Sequence, residues 1–274
     1  MTSAPGPIAL IGSGETARAG RQAFTALLES LPRPVRIAIL ETPAGFQPNA
    51  ALVARKIGTF LREHLPEFQP DVRFVPARRR GTVFDPDEPL VVEPVEWADC
   101  VFAGPGSPTY MVRQLAGTRT WQRLLERWQS GLRLAFASAA AIAVSRFALP
   151  VYELYKVGAD LHWVDGLDLL GPLSFTLAIV PHWNNREGGQ ELDTSRCFMG
   201  QERFAQLVRL LPPETTILGI DEHTACLLDF AEGVARVLGA GTVTIAKQEQ
   251  SYSFRHGAQF PLALLRSIAT TDGL

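Results

Sequence analysis

Gly131-Leu132-Arg133-Leu134-Ala135-Phe136-Ala137-Ser138-Ala139-Ala140-Ala141-Ile142-Ala143 is the stretch that decides the fold. Residues 132–137 are mostly apolar and short, as in a buried strand, and residues 139–144 start a buried helix. One hydroxyl, Ser138, stands at the junction. A sharp strand-to-helix turn of this kind holds a side chain out over the end of a sheet, as in a nucleophile elbow. Its neighbours must be small because backbones approach closely there, and Ala137, Ala139 and Ala140 are small. The pattern G-x-S-x-G is met loosely, since Phe136 and Ala140 replace both glycines. On this stretch alone an N-capping Ser138 ahead of an Ala-rich helix remains an open reading.

A chain of 274 residues with 46% hydrophobic content can bury a full core as one domain spanning residues 1–274. The net charge of -2 gives no reason to expect nucleic acid or an anionic membrane as a partner. Cys100, Cys197 and Cys226 are odd in number and widely spaced, so neither a zinc site nor a disulfide framework is expected. That usage suits a reducing, cytoplasmic compartment. No signal peptide or membrane-spanning run is expected.

Outward from the central stretch, strands and helices alternate, which implies parallel βαβ units and a sandwich of helices around a mostly parallel sheet. Strands are expected at residues 7–11, 35–40, 72–75, 100–103, 175–180 and 216–220. Helices are expected at residues 18–31, 49–65, 109–116, 121–129, 199–211 and 261–269. The Gly12-Ser13-Gly14 turn lacks the third glycine of a dinucleotide fingerprint, because Ala17 stands there, so no cofactor is expected. Residues 77–94, with Arg78, Arg79, Arg80 and several prolines, read as a solvated loop. Residues 234–238 and 243–246 flank Gly239-Ala240-Gly241 and read as a β-hairpin, with a further short strand at 252–254.

Ligands in open α/β sheets bind at the carboxyl ends of strands. Three such ends carry chemistry besides Ser138. Gly104-Pro105-Gly106 follows one strand and could offer an oxyanion N–H from Gly104 or Gly106, since Pro105 has none. His182 follows another and is placed as a general base. Asp221-Glu222 follows a third, and either carboxylate could orient a histidine.

These segments resemble peptidase family S51, which includes dipeptidase E and cyanophycinase. Ile8-Ala9-Leu10-Ile11-Gly12-Ser13-Gly14-Glu15 resembles the family's opening strand and turn. Val101-Phe102-Ala103-Gly104-Pro105-Gly106 resembles its Phe-x-Gly-Gly segment, and Ala137-Ser138-Ala139-Ala140 its elbow. Leu218-Gly219-Ile220-Asp221-Glu222-His223-Thr224-Ala225 is the nearest match.

The resemblance implies a three-layer αβα fold of the class I glutamine amidotransferase-like (flavodoxin-like) type. It implies a serine hydrolase of amide bonds in small aspartyl or isoaspartyl peptides, with a triad of Ser138, His182 and Glu222. Ala139 and a glycine of the Gly104–Gly106 loop would bind the oxyanion, and Arg186 would pair with a substrate carboxylate. No cofactor and no metal are implied. The expected partners are a small peptide substrate and, for assembly, a homodimer. Phe136, Ala140, Pro105 and the Val180-Pro181 pair depart from the family pattern. Phe136, Ala140 and Pro105 motivate an alternative reading, a non-catalytic S51-like protein that binds a small ligand or a protein partner.

Overall fold

The structure, a computed structural model, describes residues 4–247 and 250–266. The chain begins with β1 (Ile8–Ile11), α1 (Arg18–Leu28), β2 (Arg36–Leu40), α2 (Ala50–His64) and β3 (Asp71–Val75). It continues through α3 (Pro89–Trp97), β4 (Cys100–Ala103), α4 (Pro108–Leu115), α5 (Arg119–Gln129), β5 (Arg133–Ala137) and α6 (Ala139–Ala143). The small pair β6 (Phe147–Ala148) and β7 (Val164–Asp165) leads to β8 (Leu177–Val180), α7 (Gly200–Arg209) and β9 (Thr216–Ile220). The last strands are β10 (Thr224–Asp229), β11 (Val234–Gly239), β12 (Thr242–Lys247), β13 (Gln250–Arg255) and β14 (Gln259–Pro261).

The main sheet has eight strands in the order β14-β11-β10-β1-β5-β4-β2-β3. From β1 to β3 every pairing is parallel, and β10, β11 and β14 extend the sheet with antiparallel pairings. Strand side chains alternate between faces, and both faces are apolar here. Ala9, Ile11, Ile37, Ile39 and Phe102 pack with α1 and α2 on one side. Leu10, Leu40, Val101, Leu134 and Phe136 pack with α3, α4, α5 and α6 on the other. The result is a three-layer αβα sandwich. A second sheet, β13-β12-β9-β8, contributes to the same core through Ile179, Leu218, Ile220 and Ile245, and α7 covers its far face.

Three sequence expectations need correction. Residues 77–94 are not simply a solvated loop, because α3 buries Val91, Val92 and Val95. Pro89 and Pro94 disguised this helix: Pro89 occupies a first-turn position, where a missing N–H costs nothing. Within the same segment Arg78 pairs with the buried Glu41, and Arg80 hydrogen-bonds the carbonyls of Gln114 and Ala116 at the end of α4. The expected hairpin of residues 234–238 with 243–246 does not form. β11 pairs with β10 and β14, whereas β12 crosses to the second sheet and pairs with β9 and β13. Gly239-Ala240-Gly241 is the crossing point. Of the helix expected at residues 261–269, the structure has a short 3₁₀ turn at Leu262–Leu265, and residues 267–269 lie outside the described residues. No helix among the described residues is long and apolar enough to cross a membrane.

Candidate active site

Ser138 serves two elements at once. Its N–H donates to Ile11 O at 3.0 Å, which continues the pairing of β5 with β1, and its carbonyl accepts from Ile142 N at 3.2 Å, which starts α6. A strand that becomes a helix within one residue cannot keep ordinary dihedrals. Ser138 accordingly has φ 51° and ψ -116°, a sparsely populated conformation for a residue with a Cβ and the one expected of an elbow nucleophile. Its side chain makes no capping bond to α6, so it is free to point outward. Phe136 and Ala140, which stand in place of the elbow glycines, are both fully buried in the core behind the turn.

His182 lies just past β8. Trp183 N–H donates to Ile220 O at 3.1 Å, so the loop stays in register with β9 as it leaves the sheet. The His182 Nε2 atom is 2.8 Å from Ser138 Oγ, and Nδ1 is 3.0 Å from Glu222 Oε1. With Nδ1–H donated to the carboxylate, Nε2 is left to accept from the serine hydroxyl.

The adjacent carboxylates of the β9–β10 loop have different partners. Asp221 is buried, and its Oδ2 accepts from both the backbone N–H and the hydroxyl of Thr242 at 2.8 Å. Glu222 turns to the histidine. Its Oε1 also accepts from Asn185 Nδ2 at 3.0 Å, and its backbone N–H donates to Asn184 Oδ1 at 2.8 Å. Burial pushes the Glu222 carboxyl up, but hydrogen bonds from His182 and Asn185 and the charges of His182 and His223 outweigh it. The net effect holds it below the ordinary glutamate value. The Gly12-Ser13-Gly14 turn buttresses this loop: Ser13 Oγ accepts from His223 N–H at 3.1 Å. A Cβ on Gly14 would come within 2.4 Å of the His223 ring, so this turn packs against the site loop rather than cradling an anion.

Backbone strain concentrates here. Ser138, His182, His223 and residues 196–198 all hold positive φ, from 50° to 69°. Such conformations persist only where surrounding structure over-determines them, and they cluster at functional sites.

Ser138 and His182 open on a cavity of about 340 Å³ whose wall includes Gly106 and Ala139. Ala139 is the first residue of α6, so its N–H has no acceptor within the helix. Gly106 comes so close to Pro43 that a Cβ would sit 1.9 Å from the Pro43 carbonyl oxygen; only glycine allows the loop to lie there. Gly104 packs on the Phe102 ring instead and does not line the cavity. Arg186 is exposed and lines a neighbouring groove beside Asn184 and Asn185, not the Ser138 cavity. The charged groups that do line the cavity rim are Lys156 and Glu187, with Tyr152, Tyr155 and Phe198 supplying aromatic surface. Lys156 was legible only as one of several polar residues in an irregular segment, because no periodicity places residues 152–170. Among the described residues, no cluster of three or more His, Cys, Asp or Glu side chains could hold a metal ion. The three cysteines are buried and free, and burial raises the Cys100 and Cys226 thiols to about 12.

The chain is similar along 95% of its length to the crystal structure of a peptidase from an acI-B1 actinobacterium, with 25% identity, a TM-score of 0.74 and 98% of that chain covered. It shares its fold with a candidate peptidase E from Listeria monocytogenes EGD-e, at 15% identity and a TM-score of 0.52 over 92% of this chain and 99% of that one. No curated protein matches the sequence. The model of peptidase family S51 matches residues 82–234, more than half of the chain, and includes the elbow, His182 and Glu222; the chain belongs to peptidase family S51.

Proposed function

We propose that the protein is a serine hydrolase that cleaves an amide bond in small aspartyl or isoaspartyl peptides, whose acidic residue keeps one free carboxylate. One observation carries the reading: the unbroken chain of contacts from Ser138 Oγ through His182 to Glu222, at 2.8 Å and 3.0 Å. Both distances are within hydrogen-bond reach, as a nucleophile, its base and the base's orienting group require.

In this reading Ser138 Oγ attacks the substrate carbonyl carbon while its proton passes to His182 Nε2. The ionised Glu222 stabilises the imidazolium that forms. The carbonyl oxygen, now negative, is held by the N–H groups of Ala139 and Gly106. Collapse of the tetrahedral adduct breaks the C–N bond, and His182 returns the proton to the leaving amine. Water then attacks the acyl ester, gives a proton to His182, and releases the acid and a regenerated Ser138.

The cavity suits a ligand of dipeptide size, at the small end of ordinary ligand sites. Among the described residues, neither Lys156 nor Glu187 forms an ion pair. Their opposite charges at one rim match a substrate with both a carboxylate and an amine, with Lys156 taking the carboxylate. The buried free cysteines fit a cytoplasmic setting. Hydrolysis of Asp-Xaa and isoAsp-Xaa dipeptides, followed by release of free amino acid, tests the reading. Turnover that disappears in Ser138→Ala supports it; no turnover of any acidic dipeptide by the folded protein removes the substrate assignment.

A further inference from the structure

We propose that Asn185 is a positioning residue that fixes the Glu222 carboxylate for His182 and ties it to the loop forming the cavity rim. This inference rests on the serine-hydrolase reading above and adds to the triad a fourth side chain, which touches no substrate.

The geometry is specific at both ends of the amide. Asn185 is 1% exposed. Its Nδ2 donates at 3.0 Å to Glu222 Oε1, the same oxygen that takes the His182 Nδ1–H at 3.0 Å. Its Oδ1 accepts from Glu187 N–H at 3.1 Å, and its own backbone N–H donates to His182 O at 3.1 Å. One residue therefore contacts the base, the base's carboxylate and the backbone of a cavity-lining residue. A buried amide with these partners is not free to rotate, because every alternative orientation leaves a buried donor or acceptor unpaired. A single hydrogen bond from His182 would leave the Glu222 carboxylate able to pivot about that contact. The second donor on the same oxygen fixes the position of that oxygen between two donors and so helps hold the imidazole toward Ser138.

The other titratable groups that face Glu222 are His182 from the loop after β8, His223 from its own loop and Cys197 from the segment before α7. All remain when only Asn185 is changed. Asn185→Asp keeps the acceptor for Glu187 N–H and nearly the same shape, but removes the donor to Glu222. The lost donor and the carboxyl added beside Glu222 both make the Glu222–His182 pair hold its protons to higher pH, and Asn185→Leu removes the donor without adding that carboxyl.

The experiment uses the full chain. The rate of Ser138 labelling by a fluorophosphonate probe is followed against pH, and the His182 ring nitrogens are titrated by NMR. Asn185→Asp is expected to label at least about tenfold more slowly at neutral pH, with the acid limb and the His182 titration both moved up by about one pH unit. In the Glu222→Gln background the same substitution should add little, because the carboxylate it acts through is gone. Asn185→Leu, checked for folding by thermal melting, is the second variant. A lowered melting temperature with an unmoved pH profile and unmoved His182 titration would make Asn185 merely structural and overturn the proposal. Failure of the wild type to label would instead count against the serine-hydrolase reading. The His182 titration would still decide the role of Asn185.

Discussion

Asp221 and Glu222 are neighbours in sequence with opposite assignments: Asp221 binds Thr242 through two 2.8 Å hydrogen bonds, and Glu222 binds His182 at 3.0 Å. Both residues lie just past the end of β9, and their side chains go to the two strands that flank it. Asp221 turns toward β12, where it fixes the point at which the chain crosses between sheets, and Glu222 turns toward the loop after β8. Asp221→Asn is therefore expected to lower stability by about 1–3 kcal/mol, measured by urea denaturation. Glu222→Gln should instead slow hydrolysis by about 10²–10⁴-fold with a smaller stability change. Equal stability losses in both variants would erase this division.

The Glu222 carboxyl sits below its ordinary value of 4.5 in the folded protein. A group with a depressed folded value contributes stability above its unfolded value and loses that contribution as pH falls through the folded one. The wild type should therefore lose stability as pH drops below about 4.5, and Glu222→Gln should reduce that slope. Melting temperatures of both proteins across this acid range check it; identical slopes would show that the carboxylate is not held as described.

Lys156 and Glu187 are the opposite charges at the cavity rim. Lys156→Met is expected to raise KM for an acidic dipeptide by about two- to fivefold, with kcat much less affected, because a lost surface-accessible charge contact weakens ground state and transition state alike. Steady-state kinetics on an acidic dipeptide and on its neutral isostere separate the cases. An equal change for both substrates would mean that Lys156 does not read the carboxylate.

Phe136 is fully buried with Leu10, Leu134 and Ala140. Phe136→Ala should cost about 3–5 kcal/mol of stability from the cavity it leaves. At a temperature where the variant stays folded, Ser138 should keep its reactivity, since the ring points into the core and not into the cavity. Chemical denaturation with parallel labelling tests both halves, and full stability with lost reactivity would reverse the assignment.

Much of this site was legible in the sequence. The small residues around Ser138, the apolar runs ahead of His182 and Glu222, and the rule that ligands collect at strand carboxyl ends brought three distant segments together. What was illegible has physical causes. α3 was masked by prolines that a first-turn position tolerates. β11 and β12 have the pattern of a hairpin, and only the packing of Asp221 against Thr242 shows that the chain changes sheets between them. Arg186 carries the charge expected of a carboxylate reader, yet loop geometry turns it to another groove and leaves Lys156 at the cavity. Asn185 sits in a polar run, and nothing in Asn184-Asn185-Arg186 signals that one of these side chains is wholly buried.

The proposed mechanism stands on activation of Ser138 by His182. Intact-mass analysis after treatment with a fluorophosphonate, with peptide mapping of the adduct, tests it directly. One adduct per chain is expected on Ser138, none in Ser138→Ala, and strongly slowed labelling in a folded His182→Ala variant. An unlabelled wild type, under conditions that label an active serine hydrolase, would contradict it.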